Sequence, residues 1–245
     1  MANPILNDNF GSSSQAGDRV IVGGTMSVSG TIDKAFLMFL CAFIPAAYTW
    51  QQFTLGFTDK VSMLMMIGLI VGFVSALIAS FTRNKIFMVL YAVCEGLFLG
   101  GISAVFNQAY PGIVLQAVTA TFAALLSMLG LYRFNIIKCT DKFRSIIYIS
   151  TISIAVLYLM QWIASFFHYS IPFIFGNGTF GIGFSVVVVG IAALNLILDF
   201  DFIEKGVQNM LPKDFEWYGA FGLMVTLVWL YLEILRLLAK LRDNN

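Results

Sequence analysis

The chain has 245 residues, of which 59% are hydrophobic and 11% charged, and its mean hydropathy is +0.87. This composition excludes an ordinary soluble globular domain and indicates a polytopic membrane protein. The formal net charge is +1 and the sequence shows no basic patch, which argues against a nucleic-acid partner.

The hydrocarbon layer of a bilayer is about 30 Å thick, so each spanning helix needs roughly 20 mainly apolar residues. Seven segments meet this requirement and predict an all-α protein with seven transmembrane helices. Residues 1–33 are rich in Gly, Ser and Asn, and predict a flexible arm before a seven-helix domain over residues 34–245. The predicted spans are residues 34–54, 60–82, 86–107, 113–133, 145–167, 180–203 and 216–239.

Glycines four residues apart mark two of these spans, at Gly68 and Gly72 and at Gly96 and Gly100. No hydrophobic force draws helices together in lipid, so close backbone approach through small residues drives their packing. We interpret both pairs as contacts within one bundle rather than as a dimer interface, and we expect a monomer.

The distribution of lysine and arginine predicts the orientation, because these residues are retained on the cytoplasmic side. Ten fall on one side of the predicted spans and four on the other. The N-terminus is therefore predicted to be cytoplasmic and the C-terminus external, in the cell (inner) membrane. The ten are Arg19, Lys34, Arg83, Lys85, Arg133, Lys138, Lys142, Arg144, Lys205 and Lys213, and the four are Lys60, Arg236, Lys240 and Arg242.

Acids inside the predicted spans are the first candidates for a functional site. An ionised side chain in hydrocarbon costs about 3 kcal/mol or more, so each acid needs a partner, water or a proton. The candidates are Glu95, Asp199, Asp201, Glu216 and Glu233.

Two of these acids stand apart from the others. Glu95 lies roughly 15 Å beyond Lys85, at a depth where no predicted span supplies a cation, so we expect a protonated group or a wet cavity. Glu233 lies near the outer face, where it can form an interfacial ion pair with Arg236 or belong to an outer gate. His168, the only histidine, is predicted to be an interfacial residue.

The stretch LILDFDFIE, residues 196–204, places acids at the cytoplasmic end of the sixth span. Asp199 and Asp201 are two residues apart, so they point roughly 200° from each other on a helix and cannot face the same partner. The short connection that follows predicts an antiparallel hairpin of spans six and seven. Asp201 then lies level with Glu216 or Trp217, and Asp199 lies level with Gly219, within about one turn of Glu216.

Carboxylates gathered at one depth have two possible roles. In a low-dielectric site they repel each other, which makes the group a proton sensor or relay. When ionised they form a hard oxygen site for a cation such as calcium, with Asp199 and Glu216 as candidate ligands. Alternatively, the acids are solvated at the headgroups or paired with Lys205 and Lys213.

Several motifs, taken in order, resemble the bacterial branch of the Bax inhibitor-one family, the transmembrane Bax inhibitor motif proteins. They are Arg83-Asn84-Lys85 after span two, LILDFDFIEKG closing span six, and YLEILRLLAKL ending span seven. The resemblance covers the chain from about residue 34. It implies a bundle whose last helix is central, and a pH-sensitive calcium leak across the membrane.

The resemblance also implies an acid pair between spans six and seven, with an arginine from the end of span two latching onto it. Asp199 matches the first acid and Arg83 is the best match for the arginine. The second acid has no direct match: its place falls near Thr226 on the terminal motif, and residues 219–224 contain no acid either. Glu216 or Asp201 would have to substitute for it.

The leading hypothesis is a channel that leaks calcium inward, closed at neutral or high pH by contacts among Asp199, its acid partner and Arg83. Glu95 would be an intermediate site on the ion pathway, near the bilayer midplane. One alternative is a proton-coupled transporter in which Glu95 and Asp199 form a relay. Another is a non-transporting regulator that binds a second membrane protein, such as a membrane protease. Hydrolase motifs such as HExxH and GxSxG are missing, so we expect neither an enzyme nor a resident cofactor.

Overall fold

The part of the chain that the structure describes contains seven helices that could span a membrane, as predicted. The structure is a computed structural model that describes residues 24–167, 174 and 176–244. Within these residues every long helix is apolar enough to span a membrane, which confirms the all-α class. The helices are α1 Val28–Thr54, α2 Thr58–Thr82, α3 Lys85–Ala109, α4 Ile113–Arg133, α5 Asp141–Phe166, α6 Thr179–Gln208 and α7 Phe215–Asp243.

Two helix boundaries differ from the prediction. Helix α1 begins at Val28, inside the predicted arm, because Ser27 is extended and its side chain accepts a hydrogen bond from the Gly30 amide as an N-cap. Helix α6 continues past the predicted end near residue 203 to Gln208. The rest of the predicted arm, residues 1–23, and His168 lie outside the described residues.

Helix α7 is the centre of the bundle, as the resemblance implies. Its backbone packs against α1, α3, α4 and α6, whereas α2 packs against α1 and α3, and within the described residues the backbone of α5 packs against α6. Half of its most apolar stretch is buried, compared with 11% for α5. Helix α7 therefore carries the residues that the other helices enclose.

The alternation of helix direction gives the bundle two distinct ends. Helices α1, α3, α5 and α7 begin at one end, which carries Lys34, Arg83, Arg144 and Lys205, and which we call the basic end. A short antiparallel bridge between Thr25 and Pro212 closes this end over the connection between α6 and α7. The other end, where α7 finishes, is called the distal end.

The glycines spaced four residues apart lie where helices of the bundle pack closely against each other. A Cβ built on Gly96 would lie 2.1 Å from the Ala42 carbonyl oxygen, and one on Gly100 would lie 2.2 Å from the Ala46 oxygen. A Cβ on Gly68 would lie 2.5 Å from the Cys94 carbonyl oxygen. Helix α3 is therefore held in direct backbone contact with both α1 and α2, as the spacing indicated.

Substituting Gly96 by Ala should destabilise the protein, because the new methyl group cannot fit without moving α1 away from α3. We expect a loss of about 1–3 kcal/mol, measured as a lower midpoint of thermal unfolding in detergent. The matched control is Gly190→Ala in α6, where a Cβ meets open space. That variant should be neutral, or more stable by about 0.5–1 kcal/mol, since alanine favours the helix. Equal midpoints for the two variants would contradict the packing.

Candidate functional site

Asp199 lies on the face of α6 that contacts the central helix α7. Its carboxyl group interacts with the hydroxyl of Thr226, and its Oδ1 atom lies 3.5 Å from where a Cβ on Gly222 would be. Its Oδ2 atom is buried and has no hydrogen-bond partner among the described residues. A buried carboxylate oxygen without a partner is costly, so this atom marks the first candidate site.

The register of the α6–α7 hairpin differs from the prediction. Asp199 lies level with Gly222 rather than Gly219, and Gly219 instead faces Ile203. This is a shift of three residues, or roughly 4.5 Å along the helix. The prediction assumed a turn centred near residue 209, but α6 extends to Gln208 and moves the turn along the chain.

Glu216 is fully buried at the basic end and bonds residues at the start of α1. Its Oε1 atom accepts hydrogen bonds from the amide and the hydroxyl of Ser27, each at 3.0 Å. Its Oε2 atom forms an ion pair with Lys34. We call these three side chains the α1 clasp.

The α1 clasp rules out Glu216 as the partner of Asp199. Glu216 is six residues from Gly222, or roughly 9 Å along α7, and both of its oxygens are already bonded. The prediction that Asp199 and Glu216 together ligate calcium is therefore wrong for this structure. Within the described parts of the chain, no group of three or more His, Cys, Asp or Glu residues could hold a metal ion.

Asp201 faces away from α7, as the angular argument predicted, and also does not meet Asp199. Its Oδ2 atom accepts from Arg144 of α5 at 2.7 Å and from Lys205 at 2.9 Å. The pairing with Lys205 is the alternative that the sequence left open. Asp201 therefore ties α5 to α6 and does not belong to an acid pair.

Arg83 contacts the start of α7, and among the described residues it forms no ion pair with an acid. It adopts a left-handed backbone conformation (φ 53°) as the C-cap of α2. Its guanidinium lies over the Phe215 ring at 5.1 Å and near the Tyr218 ring at 5.9 Å. The predicted latch thus holds α2 to α7 by cation–π contacts, and an ion pair with Asp199 is not formed.

Glu95 lies near the middle of α3, at the interface with α2. Its Oε2 atom is 3.7 Å from where a Cβ on Gly72 would be, so the glycine leaves room for the carboxyl. In the described part of the chain it forms no ion pair. Glu95 lies ten residues into α3, which begins at Lys85, so its place along the helix is the one from which the prediction was made.

Glu233 forms the predicted ion pair with Arg236, at 2.9 Å, near the distal end. Its side chain is only 2% exposed. The Tyr158 hydroxyl donates to it from α5, and the Trp229 indole donates at 3.3 Å. Both oxygens of Glu233 are thus held in a polar cluster that joins α5 to α7.

Sequence reasoning missed several polar partners. Thr226 was located only as the place of a missing acid, and Arg144 and Lys34 were counted for orientation without a partner. Lys240 is 5% exposed and donates to the Gly181 carbonyl oxygen and the Ser185 hydroxyl, each at 3.0 Å. A lysine so close to the end of an apolar helix gives no signal that its side chain turns inward.

A bundle of seven spanning helices around a central helix with a buried carboxyl defines a class of polytopic membrane proteins with an intramembrane acid. The sequence model of the family described as Bax inhibitor 1 like matches residues 3–243. The chain belongs to the Bax inhibitor family. A comparison with curated proteins found no match.

The α1 clasp should contribute to stability, because removing one member of a buried ion pair leaves the other charge without a partner. We expect Glu216→Met and Lys34→Met each to lower the free energy of unfolding by about 3 kcal/mol. The double variant should lose less than the sum of the two. Denaturant unfolding in detergent measures all three.

Asp214→Asn is the control for these variants, since Asp214 is exposed and lies two residues from Glu216. It should change the free energy of unfolding by no more than about 0.5 kcal/mol. Strict additivity of the two methionine substitutions would show that Lys34 and Glu216 do not interact.

Proposed function

We propose that the protein is a pH-sensitive calcium leak channel of the cell membrane, with Asp199 as its sensor. The observation that carries this proposal is the buried Oδ2 atom of Asp199, which has no hydrogen-bond partner among the residues described. A carboxyl group at this position either takes up a proton and is neutral, or stays ionised with a cation or water reaching it. Membership of the Bax inhibitor family supports the same reading.

The position of Asp199 against the central helix lets its charge state affect the packing of the bundle. When the carboxyl is ionised, the Thr226 hydroxyl on α7 can donate to it and hold α6 against α7. When it is protonated this hydrogen bond weakens, and the interface loosens. The leak is therefore closed at neutral or high pH and opens as the pH falls.

The sensor in this chain is a single acid. The resemblance implies a pair of acids, but Thr226 occupies the facing position on α7, while Asp201 and Glu216 are bonded to other helices. Calcium is then a permeant ion that meets one carboxylate, rather than an ion held between two. Arg83 contributes by fixing the start of α7 through its aromatic contacts.

The proposed orientation places the basic end in the cytoplasm. It rests on the count of ten Lys and Arg residues on that side against four on the other. Asp199 is then near the cytoplasmic surface and Glu233 near the external one. The partners are the lipid bilayer, calcium and protons.

Replacing Asp199 by Asn should make the leak independent of pH, because the amide stays neutral. In liposomes containing the full chain, calcium flux through wild type should rise as the pH is lowered from about 8 to about 6. The pKa values of buried carboxyl groups can be raised into this pH range. The Asp199→Asn variant should show a flux at pH 8 close to that of wild type at pH 6. A fluorescent calcium indicator inside the vesicles reports the flux.

The matched control is Asp201→Asn, which makes the same chemical change two residues away on the opposite face of α6. It should keep the pH dependence. Flux no greater than in empty vesicles would contradict both the leak and the proton-coupled transporter. Saturable flux coupled to protons and lost in Glu95→Gln would favour the transporter, and a cellular phenotype that survives loss of Glu95 and Asp199 would favour the regulator.

Thr226→Val should raise the calcium flux at pH 8, because it removes the hydroxyl that stabilises the ionised carboxylate in the closed state. Thr226→Ser keeps a hydroxyl and should behave like wild type. The same liposome assay compares the two variants. Similar flux through both would show that the contact between Asp199 and Thr226 does not control opening.

A further inference from the structure

The interface between α6 and α7 carries a charged group near each end and is apolar between them. Asp199 lies toward the basic end, and the amine of Lys240 contacts Ser185 toward the distal end. Ser185 is 14 residues before Asp199, roughly 21 Å along α6. Between them on the same stripe of α6, Val188, Ala192 and Leu196 are completely buried.

The amine of Lys240 occupies a small site made of oxygen atoms. It donates at 3.0 Å to the carbonyl oxygen of Gly181 and at 3.0 Å to the hydroxyl oxygen of Ser185, one helical turn apart on α6. All three residues are buried. Carbonyl and hydroxyl oxygens are also the ligands that hard metal cations prefer.

The charge of Lys240 has no direct counter-charge. Among the described residues no carboxylate lies within ion-pairing distance of it. Glu233 is seven residues away on α7, roughly 10 Å, and is paired with Arg236. Two other charged residues at the distal end have partners of their own. Asp243 accepts hydrogen bonds from Tyr110 and Asn177, and Arg242 donates to the Pro111 carbonyl oxygen and the Gln116 side chain.

A buried ammonium without an ion pair is costly, and a methionine of similar length would avoid that cost. The two hydrogen bonds to Gly181 and Ser185 offset part of this cost, and the position of the charge suggests why a lysine is present. A diffusible cation that approaches Asp199 along α6 and α7 from the distal end first meets the positive charge of Lys240, with that of Arg236 behind it.

We propose that Lys240 limits the rate of the leak as a tethered cation. Its amine fills the oxygen site of Gly181 and Ser185 and keeps diffusible metal cations out of the distal end of the α6–α7 interface. This inference rests on the proposed leak function. The site itself, once the amine is removed, is a site for a metal cation.

The first test compares Lys240→Met with Lys240→Arg in liposomes containing the full chain. The methionine variant should raise calcium flux at least about fourfold, which is the effect in bulk water of removing one unit charge about 10 Å from a divalent ion. The arginine variant keeps the charge and should stay within about twofold of wild type. Lys240→Gln serves as a second neutral variant if the methionine variant does not insert.

A thermal unfolding midpoint in detergent separates this role from a purely structural one. If Lys240 only supports the fold, Lys240→Met should lower both the midpoint and the flux. If it is a tethered cation, the midpoint should be unchanged or higher while the flux rises. The inference is wrong if the calcium flux through the neutral variants is equal to or below that through wild type. The proposed leak is still supported in that case, provided that flux through wild type exceeds flux in empty vesicles.

A binding measurement tests the oxygen site separately, so that it can be distinguished from the leak: if wild type shows no flux, the proposed function fails, and the site can still be examined. Isothermal titration with calcium in detergent should detect binding at this site in Lys240→Met that is absent in wild type. The binding should be lost in the double variant Lys240→Met, Ser185→Ala. If the single variant binds no more calcium than wild type, the oxygen site is not a cation site and the inference is wrong.

Discussion

A polar group inside a bilayer has no water to bond with, and this constraint organises the whole bundle. Three buried acids of α6 and α7 are each bonded by side chains from particular helices. Glu216 is bonded by α1, Asp201 by α5, and Glu233 by α5 and by its own helix. Because these contacts come from different directions, they fix the rotation of α6 and α7, and Asp199 is left facing the interface between them.

The same constraint explains how α5 is held, although it buries little surface. Three polar side chains of α5 lie seven residues apart, and each meets a polar group of α6 or α7. Arg144 bonds Asp201, the Thr151 hydroxyl accepts from the Asn195 amide, and the Tyr158 hydroxyl donates to Glu233. Ile147 and Ile154, buried between them, complete the stripe. Polar pairs specify the place of a helix that apolar contacts alone would leave free to slide.

The predictions from sequence were most accurate for properties that depend on a single helix and its hydropathy. The span count and the pairing of Glu233 with Arg236 depend on hydropathy and helical spacing, and the structure confirms them. The acid pair failed because it required the relative register of two helices. An error of three residues, caused by the longer α6, moved Asp199 away from Glu216. Similarly, no pattern in the sequence shows that Arg83 stacks on aromatic rings or that Lys240 turns inward.

The sequence by itself determined that this chain is a seven-helix membrane protein of the Bax inhibitor family, because apolar length and motif order are local properties. It also determined that Asp199 and Asp201 point in different directions, since the helical repeat requires it. Only the tertiary structure decided which acid has a partner. Thr226 faces Asp199, and Lys34 neutralises Glu216, because packing brings residues distant in sequence to the same depth and face.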